Sequence, residues 1–311
     1  MLRFILRRLL LMIPVMIGVS FIIFSMLHLV PGDPAVMLAG GEMASAEAVE
    51  EMRELMGFND PFFVQYGRWI WNLIRYGDLG TSFVRIGASV IDEITLRFPA
   101  TFQLAVSAVV VSTVIGIPIG IISATKQYSI FDNIAMFIAL LGVSIPNFWM
   151  GLLMLLFFSL HLELLPSIGL DSFSHIILPA ITLGTGASAM VARMTRSSML
   201  EVIGQDYIRT ARAKGQTERV VISKHALKNA LIPIITVIGL NFGFLIGGAL
   251  ITERVFTING LGTLMVGAIG QRDFPIVQGS VLSIALSFSI VNLLVDILYA
   301  FVDPRVRSQY R

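Results

Sequence analysis

The sequence predicts an all-α integral membrane protein that crosses the bilayer with six helices. Of its 311 residues, 56% are hydrophobic and only 14% are charged, whereas a soluble domain carries about 25% charged residues. Stretches close to the roughly 20 apolar residues that a spanning helix needs recur along the chain. Lys and Arg gather in alternate connecting segments, as they do in multi-pass proteins. The six predicted spans are Leu9–Val30, Thr101–Ala124, Asn133–Leu160, Ile176–Ala192, Ile232–Thr252 and Val277–Phe301.

The first span begins after a basic start at Arg3, Arg7 and Arg8, which is also a feature of signal peptides. Its apolar run is longer than a signal peptide's hydrophobic region, and no A-x-A-like cleavage site follows it. We therefore expect this span to stay as a membrane anchor.

The distribution of basic residues predicts the orientation of the spans. With the N-terminus inside, the inner segments hold 15 of the 22 Lys and Arg residues and 5 of the 20 acidic residues. Basic residues are enriched in cytoplasmic loops. Both termini are therefore predicted to be cytoplasmic.

Two long polar segments separate the spans, residues 31–100 outside and residues 193–231 inside. The outer segment opens with Pro31-Gly32-Asp33-Pro34, which should stop the first helix, and Ser45 and Gly57 have the positions of a helix cap and a helix end. Two interpretations of this segment remain open. It either covers helix ends as a lid, or shapes the outer mouth and contacts a delivery protein.

The third and fifth spans contain polar residues that are candidates for lining a pathway. Ser144, Pro146 and Asn147 interrupt the third span, and Asn241 lies in the fifth. Broken helix backbone within a membrane is tolerated where it lines a cavity or is buried in protein. Ser144, Asn147 and Asn241 are therefore pathway candidates, with a packed kink as the alternative for the third span.

Asp296 is the only acidic residue within the predicted spans. A carboxylate inside a membrane is a functional candidate by default. The alternative is an ion pair near the cytoplasmic boundary with a basic residue such as Arg305.

Glycines at helical spacing predict close helix packing. Gly239, Gly243 and Gly247 repeat every four residues, and Gly116 and Gly120 do the same in the second span. Small residues on one face let neighbouring backbones approach.

The inner segment predicts two short helices that meet at a glycine. Asp206 is placed to cap a helix over Tyr207–Lys214, and Gly215 follows where a left-handed residue ends a helix. Thr217 is placed to cap a second helix over Glu218–Asn229. Such a corner could push against a partner, or its basic residues could only set topology or meet anionic lipids.

This segment resembles the EAA loop of binding-protein-dependent ABC permeases, and more narrowly the dipeptide/oligopeptide/nickel/glutathione branch. The similarity is carried by Arg209-Thr210-Ala211-Arg212-Ala213-Lys214-Gly215 and by His225-Ala226-Leu227-Lys228-Asn229-Ala230-Leu231-Ile232-Pro233. Further matches, in order along the chain, are Pro31-Gly32-Asp33-Pro34, Val64-Gln65-Tyr66, Gly77-Asp78-Leu79-Gly80-Thr81-Ser82, Pro99-Ala100-Thr101, Glu253-Arg254-Val255-Phe256, Gly260-Leu261-Gly262, Arg272-Asp273 and Val302-Asp303-Pro304-Arg305. The chain departs from the family where Arg209 replaces the glutamate that names the motif, Thr210 replaces its first alanine, and Asn259 replaces a frequent proline.

The resemblance implies the type I permease fold of ABC importers, with a cytoplasmic coupling loop between helices 4 and 5. It implies a multi-pass protein of a bacterial or archaeal inner or plasma membrane. It further implies residues 1–96 as an N-terminal helix and extracytoplasmic segment, 97–302 as the permease domain and 303–311 as a cytoplasmic tail. The coupling loop residues carried over are Arg209, Thr210, Ala211, Arg212, Ala213, Lys214, Gly215 and Glu218. The implied partners are a second, homologous permease, two ATPase subunits, an extracytoplasmic binding protein and the lipid bilayer.

No catalytic, metal or cofactor site is expected in this chain, and no nucleic-acid partner. The sequence contains no G-x-x-x-x-G-K-[ST] phosphate loop and no cysteine, and its four histidines are scattered. ATP and Mg would be held by the partner ATPases, so the chain is predicted to be a transport subunit and not an enzyme.

Two other classes of function are alternatives to the importer subunit. An ion-coupled secondary carrier would predict several intramembrane acids and inverted repeats, and neither is found. A membrane assembly factor is the other alternative. For the substrate, a peptide is the first choice, a glutathione-like peptide the second and a nickel chelate the third.

The orientation predicts the outcome of reporter fusions. A reporter that folds only in the cytoplasm should be active when fused near Thr217 and inactive when fused near Glu51. Activity at both positions, or the reverse pattern, would disprove the predicted topology.

Overall fold

The computed structural model describes residues 2–30, 32–85 and 87–302, which are helical apart from short connections and one isolated antiparallel bridge, Thr81 to Ser89. The all-α prediction is thus confirmed over these ranges. The helices used below are α1 (Leu2–Leu29), α2 (Pro34–Leu38), α3 (Ala46–Met56), α4 (Phe62–Tyr76), α5 (Val90–Thr125), α6 (Ile130–Ser144), α7 (Asn147–His161), α8 (Phe173–Ile203), α9 (Asp206–Ala213), α10 (Glu218–Val255), α11 (Leu261–Gln271) and α12 (Phe274–Val302). The predicted tail 303–311, with Arg305, and Pro31 lie outside the described residues.

Within the described ranges, five helices are long and apolar enough to cross a membrane, namely α1, α5, α8, α10 and α12. The pair α6 and α7 passes the same test together and is bent by 100° at residues 145 and 146. This agrees with six spans and with an interruption at Pro146. Proline lacks a backbone N–H and disfavours helical geometry in the residue before it, so Pro146 favours a break at this point.

Several helices extend beyond the predicted spans. The helix that holds the second span begins at Val90, and the helix that holds the fourth continues to Ile203. Hydropathy marks only the part of a helix that suits lipid, whereas backbone hydrogen bonds continue into water until a residue stops them.

The described part of one compact unit consists of residues 2–8, 100–258 and 288–302. Its central helix is α8, because most of the apolar window of α8 is buried, far more than in the other spans. Helices α5 and α8 touch through glycines. A Cβ on Gly116 would lie 2.8 Å from the Ser188 carbonyl oxygen, and a Cβ on Gly184 would lie 2.8 Å from that of Ala108. The predicted close approach at Gly116 is therefore confirmed, and Gly184 contributes from the opposite helix.

The predicted glycine face of α10 is correct at two positions. Gly239 lies directly against Val295 of α12, and Gly243 lies directly against Phe288. For Gly247, no other part of the described chain comes within 4 Å of a Cβ, so the prediction of close packing within this chain is wrong there.

Asp296 forms an ion pair in this unit, with its Oδ2 atom 3.1 Å from Nε of Arg8. The interpretation of Asp296 as an ion-paired residue is therefore supported, but the partner comes from α1. The suggested partner Arg305 lies outside the described residues.

The described part of the second compact unit consists of residues 9–30, 32–85, 87–99 and 259–287. The Ser45 side chain accepts a hydrogen bond from the Ala48 backbone N–H at 3.2 Å, and Gly57 ends α3 with φ of 69°. Both sequence predictions for this helix are confirmed. The core of the unit is formed by the apolar residues Leu79, Val90, Ile94, Leu261, Leu264, Ala268, Ile276, Val277 and Leu282.

The glycine contact between α5 and α8 leads to a stability prediction. Gly116→Ala combined with Gly184→Ala should lower the unfolding free energy by about 1–3 kcal/mol, because overpacking forces the helices apart. Gly248→Ala is the matched control, since no other atom of the described chain lies within 4 Å of its added Cβ, and alanine favours a helix.

Thermal unfolding of the purified chain in detergent measures both changes. Equal unfolding temperatures for the double variant and the control would contradict the close contact.

Candidate functional site: the connection between α8 and α10

The connection begins where α8 ends. The Gly204 N–H donates to the Leu200 carbonyl at 3.3 Å, and Gln205 then adopts an extended conformation with ψ of 150°. Helix α9 starts at Asp206, so Gln205 and not Asp206 occupies the cap position, without a side-chain capping bond. The prediction of Asp206 as the cap is therefore wrong by one residue. The Asp206 carboxylate instead lies 3.7 Å from the Arg209 guanidinium, one turn along the helix.

A left-handed glycine makes the turn after α9. Gly215 has φ of +75°, as predicted. Its N–H donates to the Arg212 carbonyl at 3.0 Å. No other part of the described chain lies within 4 Å of a Cβ placed on Gly215, so the position is open to a partner.

A forked ion pair spans the turn. The Arg212 guanidinium donates through Nε to Glu218 Oε2 at 3.0 Å and through Nη2 to Oε1 at 2.6 Å. These hydrogen bonds raise the pKa of the Arg212 guanidinium above its usual value. Both side chains are well exposed, so the pair adds little stability. Its two parallel bonds nevertheless fix the geometry of the turn.

The inner side of the connection is anchored in the core of the first unit. Ile208 is fully buried and Ala211 is 8% exposed. They belong to one apolar cluster with Met199, Val221 and other residues of α8 and α10. Ala211, one of the predicted coupling residues, therefore anchors the connection. The other predicted residues are exposed: Arg209, Thr210, Arg212, Ala213, Lys214, Gly215 and Glu218.

The sequence predicts a short second helix in the connection, over Glu218–Asn229, and this prediction is wrong. The helix begins at Glu218 and continues to Val255 as α10. A π-helical stretch over Val221–Ala226 lies at its start. Thr217 stands at the cap position but makes no side-chain capping bond. A π turn accommodates an extra residue without ending a helix, so the chain needs no break before it enters the predicted span.

The structure shows an ion pair between Arg196 and a buried carboxylate, Asp132, that the sequence analysis did not predict. Asp132 is 2% exposed. Its carboxylate accepts two hydrogen bonds from Arg196 of α8, both at 2.8 Å, one from the Tyr128 N–H at 2.9 Å and one from the Ser123 hydroxyl. The pair ties the α5–α6 turn to α8. Sequence reasoning had counted these residues only as charges, although Ser129 and Asp132 have the spacing of a capping box.

The pathway candidates lie on three different helices. The Ser144 hydroxyl donates to the Leu140 carbonyl of α6 at 2.9 Å. Asn147 begins α7, and its Oδ1 would lie 3.6 Å from a Cβ on Gly186 of α8. Asn241 of α10 has a buried Nδ2 with no hydrogen-bond partner among the described residues. A role in a pathway remains a prediction for all three.

These features define a class of protein: a multi-pass helical membrane protein with a short helix anchored between two of its spans. The chain belongs to the family of inner membrane components of binding-protein-dependent transport systems. The model of that family matches residues 116–308, and the model of its N-terminal membrane component matches residues 1–105. The chain is thus a permease subunit of an ABC importer.

Curated relatives match the chain along almost its whole length. It is 45% identical to the dipeptide transport system permease protein DppB of Alkalihalophilus pseudofirmus, covering 99% of this chain and 100% of that protein. It is 43% identical to DppB of Escherichia coli, with the same coverage. It is also 43% identical to the glutathione transport system permease protein GsiC of Escherichia coli, covering 99% of each chain.

A solved structure supports the fold. The inward-facing MetNI methionine ABC transporter matches with a TM-score of 0.56 and 22% identity, over 67% of this chain and 95% of that chain. The predicted ABC importer permease fold is therefore confirmed.

The Asp132–Arg196 pair leads to a prediction for the C-terminal part of α8. Arg196→Met should destabilise the chain by about 3–5 kcal/mol, because it leaves a buried carboxylate without its partner. The matched control is Arg193→Met on the same helix, where the arginine is exposed and contacts only Met190 Sδ, at 3.6 Å, among its side-chain partners in the described chain.

Unfolding of the two variants in detergent gives the comparison. Adding Asp132→Leu to Arg196→Met should restore much of the lost stability. If Arg196→Met behaves like the control, the pair has no structural importance.

Proposed function

We propose that this permease imports a di- or oligopeptide and that the connection from Gly204 to Glu218 is the surface on which a partner ATPase docks. The chain would form half of the pathway, with a second, homologous permease forming the other half. An extracytoplasmic binding protein would deliver the substrate. ATP and Mg would be bound by two ATPase subunits, and this chain would hold neither.

The peptide substrate is supported by the relatives named above, whose names specify dipeptides and glutathione. Glutathione is itself a tripeptide, so both names describe short peptides. The chain covers the relatives over their full length at more than 40% identity. A nickel chelate has weaker support, since neither of these two names mentions nickel.

The observation that carries the docking proposal is the two-sided character of the connection. Its outer residues, from Arg209 to Glu218, are exposed apart from Ala211. Its inner residues Ile208 and Ala211 are buried against α8 and α10. Packed apolar contacts do not yield easily, so a push on the exposed turn would be passed to both helices. A segment that only set topology or met lipid headgroups would not need this anchor.

The same anchor suggests how ATP binding could move the membrane helices. In the proposed mechanism, closure of the two ATPases displaces α9, and α8 and the start of α10 move with it as one body. The bend between α6 and α7 lies beside α8, where Gly142 of α6 approaches Thr185. Rigid-body motion of this kind is a common form of switching in multi-subunit proteins.

Gly215→Glu tests the docking proposal. A residue with a Cβ costs about 1–2 kcal/mol in a left-handed conformation, and the added carboxylate would stand on the docking surface. We expect the membrane helices to fold, because no other part of the described chain lies near this position. Binding of the ATPase and peptide uptake should both be lost.

Two variants separate backbone strain from a lost docking surface. Gly215→Asn should stay largely active, because asparagine tolerates the left-handed conformation. Arg212→Ala should reduce activity only modestly, since its ion pair is exposed. The measurements are co-purification of the ATPases and peptide-stimulated ATP hydrolysis in liposomes. If Gly215→Glu assembles and couples like the wild type, the connection is not the docking surface.

A further inference from the structure

The second unit contains a cavity of about 550 Å³ that the proposed docking surface does not involve. Small-molecule sites typically measure about 300–1,000 Å³. The cavity is lined by the end of α1, by residues of the outer segment and by the first turns of α12. The basic-residue distribution predicts that it opens on the extracytoplasmic side.

One wall of the cavity is aromatic. Phe24 of α1 and Trp69 of α4 stack with ring centroids 5.8 Å apart. Phe83 meets Phe274 of α12 edge to face at 6.5 Å, and it meets Phe58 at 6.1 Å. All five rings line the cavity, so it offers a large apolar surface to a side chain.

The charged groups at the cavity already have partners. Asp33 accepts two hydrogen bonds from Arg53, one of them from Nε at 3.1 Å, and another from the Ala35 N–H. Arg68 is paired with Asp60. These pairs leave little net charge to attract an ion, and they make a charged ligand such as a metal or a phosphate a poor fit.

The other polar groups at the cavity are uncharged. Asn72 and Gln278 line it and carry side-chain amides, which donate and accept hydrogen bonds. Gln278 is only 8% exposed. Trp69 also lines the cavity, and its Nε1 is buried without a hydrogen-bond partner among the described residues. A ligand with its own amide groups matches such a set, because each amide both donates and accepts.

We propose that this cavity is a binding site for a short peptide, with its backbone amides on Asn72 and Gln278 and an apolar side chain against the aromatic wall. The choice of a peptide rests on the proposed function, whereas the cavity and its lining do not. A peptide bound here would lie on the predicted extracytoplasmic side of the permease.

The test is equilibrium dialysis of the full chain in lipid nanodiscs against radiolabelled alanyl-phenylalanine. The dipeptide should bind saturably at one site, and an equimolar mixture of free alanine and phenylalanine should not compete. Gln278→Leu, which removes the amide at similar volume, should weaken binding about tenfold, because one lost hydrogen bond is worth about 1.4 kcal/mol. Trp69→Phe keeps an aromatic wall and removes the indole N–H, so it should weaken binding several-fold.

Gln271→Leu is the matched control, since Gln271 is exposed and does not line this cavity. The unfolding temperature of each variant is measured first, and only variants that match the wild type are compared, so that a folding defect is not counted as lost binding. Absence of saturable binding to the wild-type chain, or equal binding by all three variants, would overturn the proposal. A third outcome would also overturn the proposal: the chain binds the extracytoplasmic binding protein but not the dipeptide, and Gln278→Leu weakens the binding of that protein. The cavity would then be a protein-binding site.

The binding assay needs no ATPase, so it is independent of the docking proposal. Dipeptide binding without peptide uptake by the assembled importer would refute the proposed function alone. Peptide uptake with no binding at this cavity would refute only the present inference.

Discussion

The packing of α8 against its neighbours is the constraint on which the first unit depends. Gly116 and Gly184 bring the α5 and α8 backbones so close that a Cβ on either one would press on a carbonyl oxygen. Near its C-terminal end, α8 is also held by the ion pair between Arg196 and the buried Asp132. Because α9 packs on the end of this fixed helix, its position is determined by the core of the membrane unit.

In the connection after α8, different residues anchor the segment to the core and face away from it. Small or apolar residues at Ile208 and Ala211 attach it to the core, and charged residues remain outside. Arg209, which replaces the glutamate typical of related loops, is highly exposed. The local fold therefore does not depend on that position, and the departure from the family motif leaves the turn at Gly215 intact.

The second unit uses different interactions. Its helices α2 to α4 are short, and α3 is bounded by the Ser45 cap and the left-handed Gly57. The buried carboxylate of Asp273 holds the connection before α5, because it accepts a hydrogen bond from the Phe83 N–H at 3.0 Å. This arrangement leaves an aromatic cavity. The two proposals thus concern separate surfaces and separate ligands, an ATPase at one and a peptide at the other.

The sequence by itself determined features that depend on neighbouring residues. Apolar stretches predicted the spans, and Ser45, Gly57 and Gly215 predicted helix ends, because capping and left-handed turns are local. Only the tertiary structure decided which distant groups meet. Asp132 and Arg196 are 64 residues apart, Asp296 pairs with Arg8, and the third span bends by 100°. Such contacts depend on how helices pack, and hydropathy and spacing record only which face of a helix avoids water.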